Sequence, residues 1–240
     1  MSQNVWLYSA GTHCGAVRNM NEDAYMARSA DGLWAVADGM GGHDAGEVAS
    51  NMISSALDKL DTQTPIPELV DAVEDTLLEV HRDIRNYSRT HCDGRTMGST
   101  VVVLITRENL GVCIWAGDSR LYRYRDDHLT QVSIDHSQVN EMVARGLLTP
   151  EEAENHPASN VITRAVGATD TLYLDTDVCE LRKGDVYLLC SDGLYGALSH
   201  DEILNRLRHS KIHDCANDLI QDSLQNGARD NVTVVVLQVI

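Results

Sequence analysis

Phenylalanine is absent from the 240 residues, and only four prolines occur. Aromatic packing therefore falls to eight Tyr and three Trp. With 43% hydrophobic residues, so little proline excludes a disordered or low-complexity chain. Positive charge is also scarce: 19 Lys and Arg face 36 Asp and Glu, a formal net charge of −17. No basic run interrupts that excess, which argues against nucleic-acid and anionic-membrane partners. No apolar run approaches the roughly 20 residues needed to span a bilayer. Residues 1–15 lack the basic-then-apolar pattern of a secretory signal, so a cytoplasmic location is expected. The six cysteines, at 14, 92, 113, 179, 190 and 215, form no CxxC pair. Cys113 and Cys190 sit inside strand-like apolar runs and read as small buried hydrophobes, not as zinc ligands or a disulfide frame.

What is present is a series of short β-like runs, at 5–10, 33–37, 100–106, 112–116, 121–125, 186–190 and 232–239. Most are rich in Val, Ile, Leu or Tyr and bounded by Gly, Asp or Asn. Between them apolar residues recur at helical spacing. Val48, Met52, Ile53, Ala56, Leu57 and Leu60 form one stripe, and Leu69, Val73, Leu77, Val80 and Ile84 another, after a Pro67 suited to a first turn. Val139, Met142 and Val143 make a shorter one. Ser199 with Glu202, and Thr149-Pro150-Glu151-Glu152, read as capping boxes. Cys215, Leu219, Ile220 and Leu224 mark a last helix. Helices are grouped and do not alternate singly with strands, so the pattern predicts an α+β fold with antiparallel sheets and helices packed outside. The length suits one domain, residues 1–240, with the polar, capped stretch 136–168 as an inserted flap.

Five acidic motifs share one local design, an Asp at the end of a β-like run or in the loop after it. They are RNMNED (18–23), DGMGGH (38–43), GDSR (117–120), SDG (191–193) and RDN (229–231). The run 33–37 is uniformly apolar, so Asp38 should emerge at a sheet edge. Three glycines in the next four residues leave the backbone free to bring a carbonyl against a ligand. Carboxylates gathered in this way repel and take up protons unless a cation neutralises them. Oxygen donors without a Cys or His cluster select Mg²⁺ or Mn²⁺. Two such ions roughly 3.5–4 Å apart can activate a water and clamp a phosphoryl group. A single Asp-Gly is usually only a turn. No GxxxxGK[ST] or EF-hand spacing is present. The functional reading rests on the conjunction of all five motifs.

That conjunction resembles the metal-dependent protein phosphatases of type 2C, the PPM family, in their compact bacterial form. The likeness runs from Arg18 to Asp230, and Gly98-Ser99-Thr100 and the string NVITRAVG (160–167) share it. It implies a β-sandwich of two mainly antiparallel sheets, with helices on both outer faces and a flap over the metal edge. It implies a serine/threonine protein phosphatase that hydrolyses phosphoserine and phosphothreonine monoesters by a metal-activated water. Residue by residue, it implies that Asp38 bridges two Mn²⁺ or Mg²⁺ ions, that the Gly39 carbonyl touches one, and that Asp192 and Asp230 ligate the other. Glu22 and Asp23 would hold metal-bound waters, Arg18 would grip the substrate phosphate, and Asp118 with Asp192 would bind a weaker third ion. Where eukaryotic members carry an acid histidine two residues after the bridging Asp, this chain has Met40. His43 is then either the acid or a residue that orders the glycine loop, with His156 or a metal-bound water as other proton sources. The expected partner is a phosphoprotein, the target of a eukaryotic-like Ser/Thr kinase. The rival readings are a non-catalytic binding module on the same fold and a metal-dependent phosphodiesterase.

Overall fold

A computed structural model describes residues 6–42, 45–92, 95–154 and 156–240. In chain order it begins with strands β1 (Trp6–His13), β2 (Asp23–Arg28) and β3 (Leu33–Met40), then helices α1 (Ala45–Leu57) and α2 (Ile66–His91). Next come β4 (Gly98–Ser99), β5 (Val101–Arg107), β6 (Leu110–Ala116), β7 (Arg120–Arg125) and β8 (His128–Gln131). The short helices α3 (Gln138–Ala144) and α4 (Pro150–Glu154) precede β9 (Asp175–Glu180) and β10 (Val186–Cys190). Helices α5 (Asp192–Ala197), α6 (His200–His209) and α7 (Ile212–Gln225) lead to β11 (Val232–Val239).

The strands form two antiparallel sheets, ordered β1-β11-β10-β7-β8 and β2-β3-β5-β6-β9, with β4 pairing β3. Strand periodicity decides what each face buries. Along β3, Trp34 and Val36 point between the sheets, while Leu33, Ala35 and Ala37 point toward α1 and α2. Along β11, Val235 and Leu237 enter the inter-sheet core and Val234 and Val236 face α5–α7. Because helices cover the outer face of each sheet, central strands are apolar on both sides. The result is a four-layer sandwich with helices on both outer faces, as the family resemblance implies.

Helix ends follow the sequence signals. Pro67 lies in the first turn of α2. Ser199 and Glu202 close a reciprocal capping box on α6. The Glu152 N–H donates to Thr149 Oγ1 at 3.3 Å, and the Thr149 N–H to Glu152 Oε2 at 2.8 Å. Segment 136–168 carries α3 and α4, is closed on itself by the Ser137–Ile162 bridge and is tied to β4 by the Ser99–Val166 bridge. Among the described residues, no helix is long and apolar enough to cross a membrane.

Candidate metal centre

Antiparallel pairing brings the starts of some strands to the same edge as the ends of others. Asp23, first residue of β2, stands in register opposite Asp38 of β3. Asp118 lies in the β6–β7 connection, Asp192 opens α5 directly after β10, and Asp230 precedes β11. Two details differ from the sequence reading. Asp38 sits within β3, which continues to Met40, and Asp23 and Asp230 precede strands where the pattern expected them to follow. The common edge, not a common position in the strand, unites them.

The segments that carry these carboxylates are held from behind. The Asp38 N–H donates to Thr100 Oγ1 at 3.1 Å, and the Thr100 N–H donates to the Asp38 carbonyl at 2.9 Å. Ser191 Oγ donates to Asp23 Oδ2 at 2.7 Å while accepting the Thr233 N–H at 3.0 Å, which joins the two sheets at the site. The Glu22 N–H donates to Asn231 Oδ1 at 2.8 Å, and the Asn231 amide donates to the Met20 carbonyl at 2.8 Å and the Cys14 carbonyl at 3.0 Å. Asn231 thus fixes the loop carrying Arg18 and Glu22 beside Asp230. Tyr195 of α5 donates its hydroxyl to the Asp118 carbonyl at 3.0 Å. The Arg120 guanidinium covers the Tyr195 ring, 3.5 Å from its centroid, and forks onto Asp135.

Two glycines make the close approach possible. A Cβ on Gly39 would fall 2.1 Å from the Gly46 carbonyl oxygen, so the end of β3 bearing the Gly39 carbonyl packs directly on the start of α1. A Cβ on Gly193 would fall 1.9 Å from the Asn231 carbonyl oxygen, so only glycine lets α5 start against the β11 entry.

The electrostatics are those of too many negative charges for the space. Burial, then the charges of Asp23, Asp192, Asp118 and Asp230, push the Asp38 carboxyl well above the usual range. Burial drives Asp23 to about 7 and, with the charge of Asp192, Asp118 to about 7. Asp192 is raised by burial and by Asp230, and lies within hydrogen-bond reach of Asp38. Among the described residues, Asp23 Oδ1 and Glu22 Oε1 are buried without a hydrogen-bond partner. Orphaned buried carboxylate oxygens are costly unless a cation or its waters satisfy them. An all-oxygen donor set with excess negative charge therefore fits Mg²⁺ or Mn²⁺. Among the described residues, no three His, Cys, Asp or Glu side chains are gathered closely enough to hold an ion alone. Small hard ions keep several of their waters, which can satisfy such orphaned oxygens.

Arg18 is exposed and donates to Asp230 Oδ2 at 2.7 Å, so the predicted phosphate ligand rests on a predicted metal ligand. His156 accepts the Ala158 N–H on Nδ1 at 3.1 Å within its own segment. His43 lies outside the described residues. The sequence reading missed Ser191, Asn231 and Tyr195 as supports. The first two are adjacent to Asp192 and Asp230 inside quoted motifs, which was the available signal. Tyr195 had none.

The comparisons agree with this architecture. The protein phosphatase 2C family model matches residues 10–230. The serine/threonine protein phosphatase PstP of Mycobacterium tuberculosis is 39% identical over 98% of this chain, which spans 45% of that protein's length. The serine/threonine phosphatase stp of Listeria innocua is 33% identical over 95% of this chain and 93% of its own. A solved PstP catalytic domain, in complex with two manganese ions, superposes with a TM-score of 0.88 at 37% identity, covering 98% of this chain and 99% of that one. The fold is that of a protein phosphatase of type 2C. The chain belongs to that family, in its bacterial branch.

Proposed function

We propose that this chain is a metal-dependent serine/threonine protein phosphatase, hydrolysing phosphoserine and phosphothreonine monoesters in the cytoplasm. The observation that carries the reading is one end of the sandwich, where the two sheets bring together Asp23, Asp38, Asp118, Asp192 and Asp230, with two buried carboxylate oxygens lacking partners among the described residues. Asp38, Asp192, Asp230 and the Gly39 carbonyl would hold two Mn²⁺ or Mg²⁺ ions. Glu22 and Asp23 would order the waters between them, and Asp118 with Asp192 would hold a weaker third. When bound, such ions neutralise phosphoryl charge and supply a water nucleophile at neutral pH.

The chain's own part is to bind and orient. Arg18 is positioned to grip phosphoryl oxygens by exchanging its Asp230 contact for them. That contact is a surface pair worth roughly 0–1 kcal/mol, so releasing it costs little. The P–O bond to the serine or threonine breaks as water's oxygen bonds phosphorus, leaving inorganic phosphate and the free hydroxyl. The substrate would be a phosphoprotein, opposed by a eukaryotic-like Ser/Thr kinase. Segment 136–168 serves as a flap of one catalytic domain spanning 1–240. The test is turnover of p-nitrophenyl phosphate and a phosphothreonine peptide with Mn²⁺ and with chelator, beside a phosphodiester. Monoester turnover that vanishes with chelator is expected. Diester turnover alone, or none, would overturn the reading.

A further inference from the structure

A cleft of about 430 Å³ adjoins the carboxylate edge. Its walls are Asn160 of segment 136–168, Asp192 and Tyr195 of α5, and the turn between α7 and β11 with Asn226, Arg229 and Asp230. The volume falls within the roughly 300–1,000 Å³ range of ligand pockets. Because Asp192 and Asp230 belong both to this cleft and to the site, a substrate phosphorylated at the site has its neighbouring residues beside the cleft.

The charges on its walls are not equivalent. Asp230 is engaged by Arg18, and Asp192 lies against Asp38. Arg164, in the same segment as Asn160, is spent on Asp175 at 2.6 Å. Arg229 is exposed and, among the described residues, has no hydrogen-bond or ion-pair partner. Among the described lining residues it is the unpaired cation, on a molecule whose net charge is −17. That overall charge disfavours acidic substrates at long range, but salt screens it beyond about 8 Å, so the local charge decides once a peptide is seated. A guanidinium fork pairs best with a planar carboxylate, and here the pairing breaks no existing bond.

We propose that this cleft seats the residues flanking the phosphorylated side chain, and that Arg229 at its rim selects an acidic flanking residue. The inference rests on the phosphatase reading and specifies its substrate class: phosphopeptides with Asp or Glu near the phosphorylated residue.

The test compares kcat/KM for phosphothreonine peptides carrying Asp, Ala or Lys at each of the positions flanking the phosphothreonine. Wild-type protein, Arg229→Ala and Arg229→Glu are assayed with Mn²⁺. At one flanking position wild type should prefer Asp over Lys by about tenfold, mainly through KM, with the preference shrinking in high salt. Arg229→Ala should flatten the preference and Arg229→Glu should invert it toward Lys. A merely structural loss at Arg229 lowers all peptides alike and inverts nothing. Thermal melts of the variants check folding, and an exposed, unpartnered side chain should leave them unchanged within a degree or two. Wild-type turnover without charge preference, or a preference that survives in both variants, overturns this inference and leaves the phosphatase reading standing. No turnover of p-nitrophenyl phosphate or any peptide by wild type overturns both.

Discussion

Like charges directly opposite one another weaken an antiparallel ladder, yet Asp23 and Asp38 share one register pair. Nothing in the core needs two carboxylates there, and a cation explains both. Replacing Asp38 with Asn keeps the shape, and the backbone bonds to Thr100, while removing charge from the centre of the cluster. Phosphopeptide turnover should fall by several orders of magnitude at saturating Mn²⁺, since nucleophile and phosphoryl clamp depend on the same ligand. A variant that keeps a tenth of the wild-type rate would remove Asp38 from the bridge. Arg18 carries the opposite charge and a different burden. It is half exposed and, among the described residues, pairs with Asp230, so Arg18→Ala should leave folding intact and raise KM for phosphopeptide about tenfold. Steady-state kinetics separate this from a loss confined to kcat, which would mean that the contact forms only in the transition state. Unchanged parameters would make Arg18 an ordinary surface cation.

At the scale of elements, legibility followed burial. The strands 186–190 and 232–239 were read to the residue because both faces are covered and the apolar run is continuous. The strands missed were β4, only two residues long, and β2, β8 and β9, each at an edge of its sheet. DAYMAR, HLTQ and DTDVCE carry polar or charged side chains on their open faces, which blurs the period-two signal. Helix α5 was also hidden. With Gly193 and Gly196 among its six residues, it has poor helix propensity and forms because it packs against β11 and α7. Gly193 is required by contact, so Gly193→Ala should destabilise by about 1–3 kcal/mol and push Asp192 out of place. Weaker Mn²⁺ binding by calorimetry, together with the lower melting temperature, is the expected result. A second element carries a pH signature. His81 of α2 accepts the Gly167 N–H on Nδ1 at 2.9 Å, and burial pushes its imidazole below the ordinary value of 6.5. The folded state therefore holds the neutral ring. Its contribution is fully present above about 6.5 and is lost as pH falls below it, because the unfolded chain binds the proton first. His81→Gln should flatten the loss of stability as pH falls below about 6.5 in thermal melts. A slope equal to wild type would assign that loss to other groups.

The site is a property of the whole molecule. Asp23 and Asp38 lie on one sheet, Asp192 and Asp230 flank strands of the other, and Asp118 sits where the chain crosses between them. Composition and motif spacing could show that the carboxylates belong together, but not that the cluster forms only when the two sheets pack. In that arrangement the apo protein holds mutually repelling, poorly solvated carboxylates at the seam of its sandwich, and an ion bound there stabilises the assembled state alone. At an ion concentration 100 times its Kd, binding contributes about 2.7 kcal/mol. For a chain of this size, that corresponds to a rise in melting temperature of roughly 5–10 °C. Chelated and Mn²⁺-loaded protein should differ by this amount. The Asp38→Asn variant makes the attribution specific. Without metal it should melt at or above the chelated wild type, because one source of repulsion is gone. On adding Mn²⁺ its rise should be much smaller, because a shared ligand is gone. The two shifts move in opposite directions from one substitution, which general destabilisation cannot reproduce. An Mn²⁺-induced rise equal to that of wild type would locate the stabilising ion away from this seam.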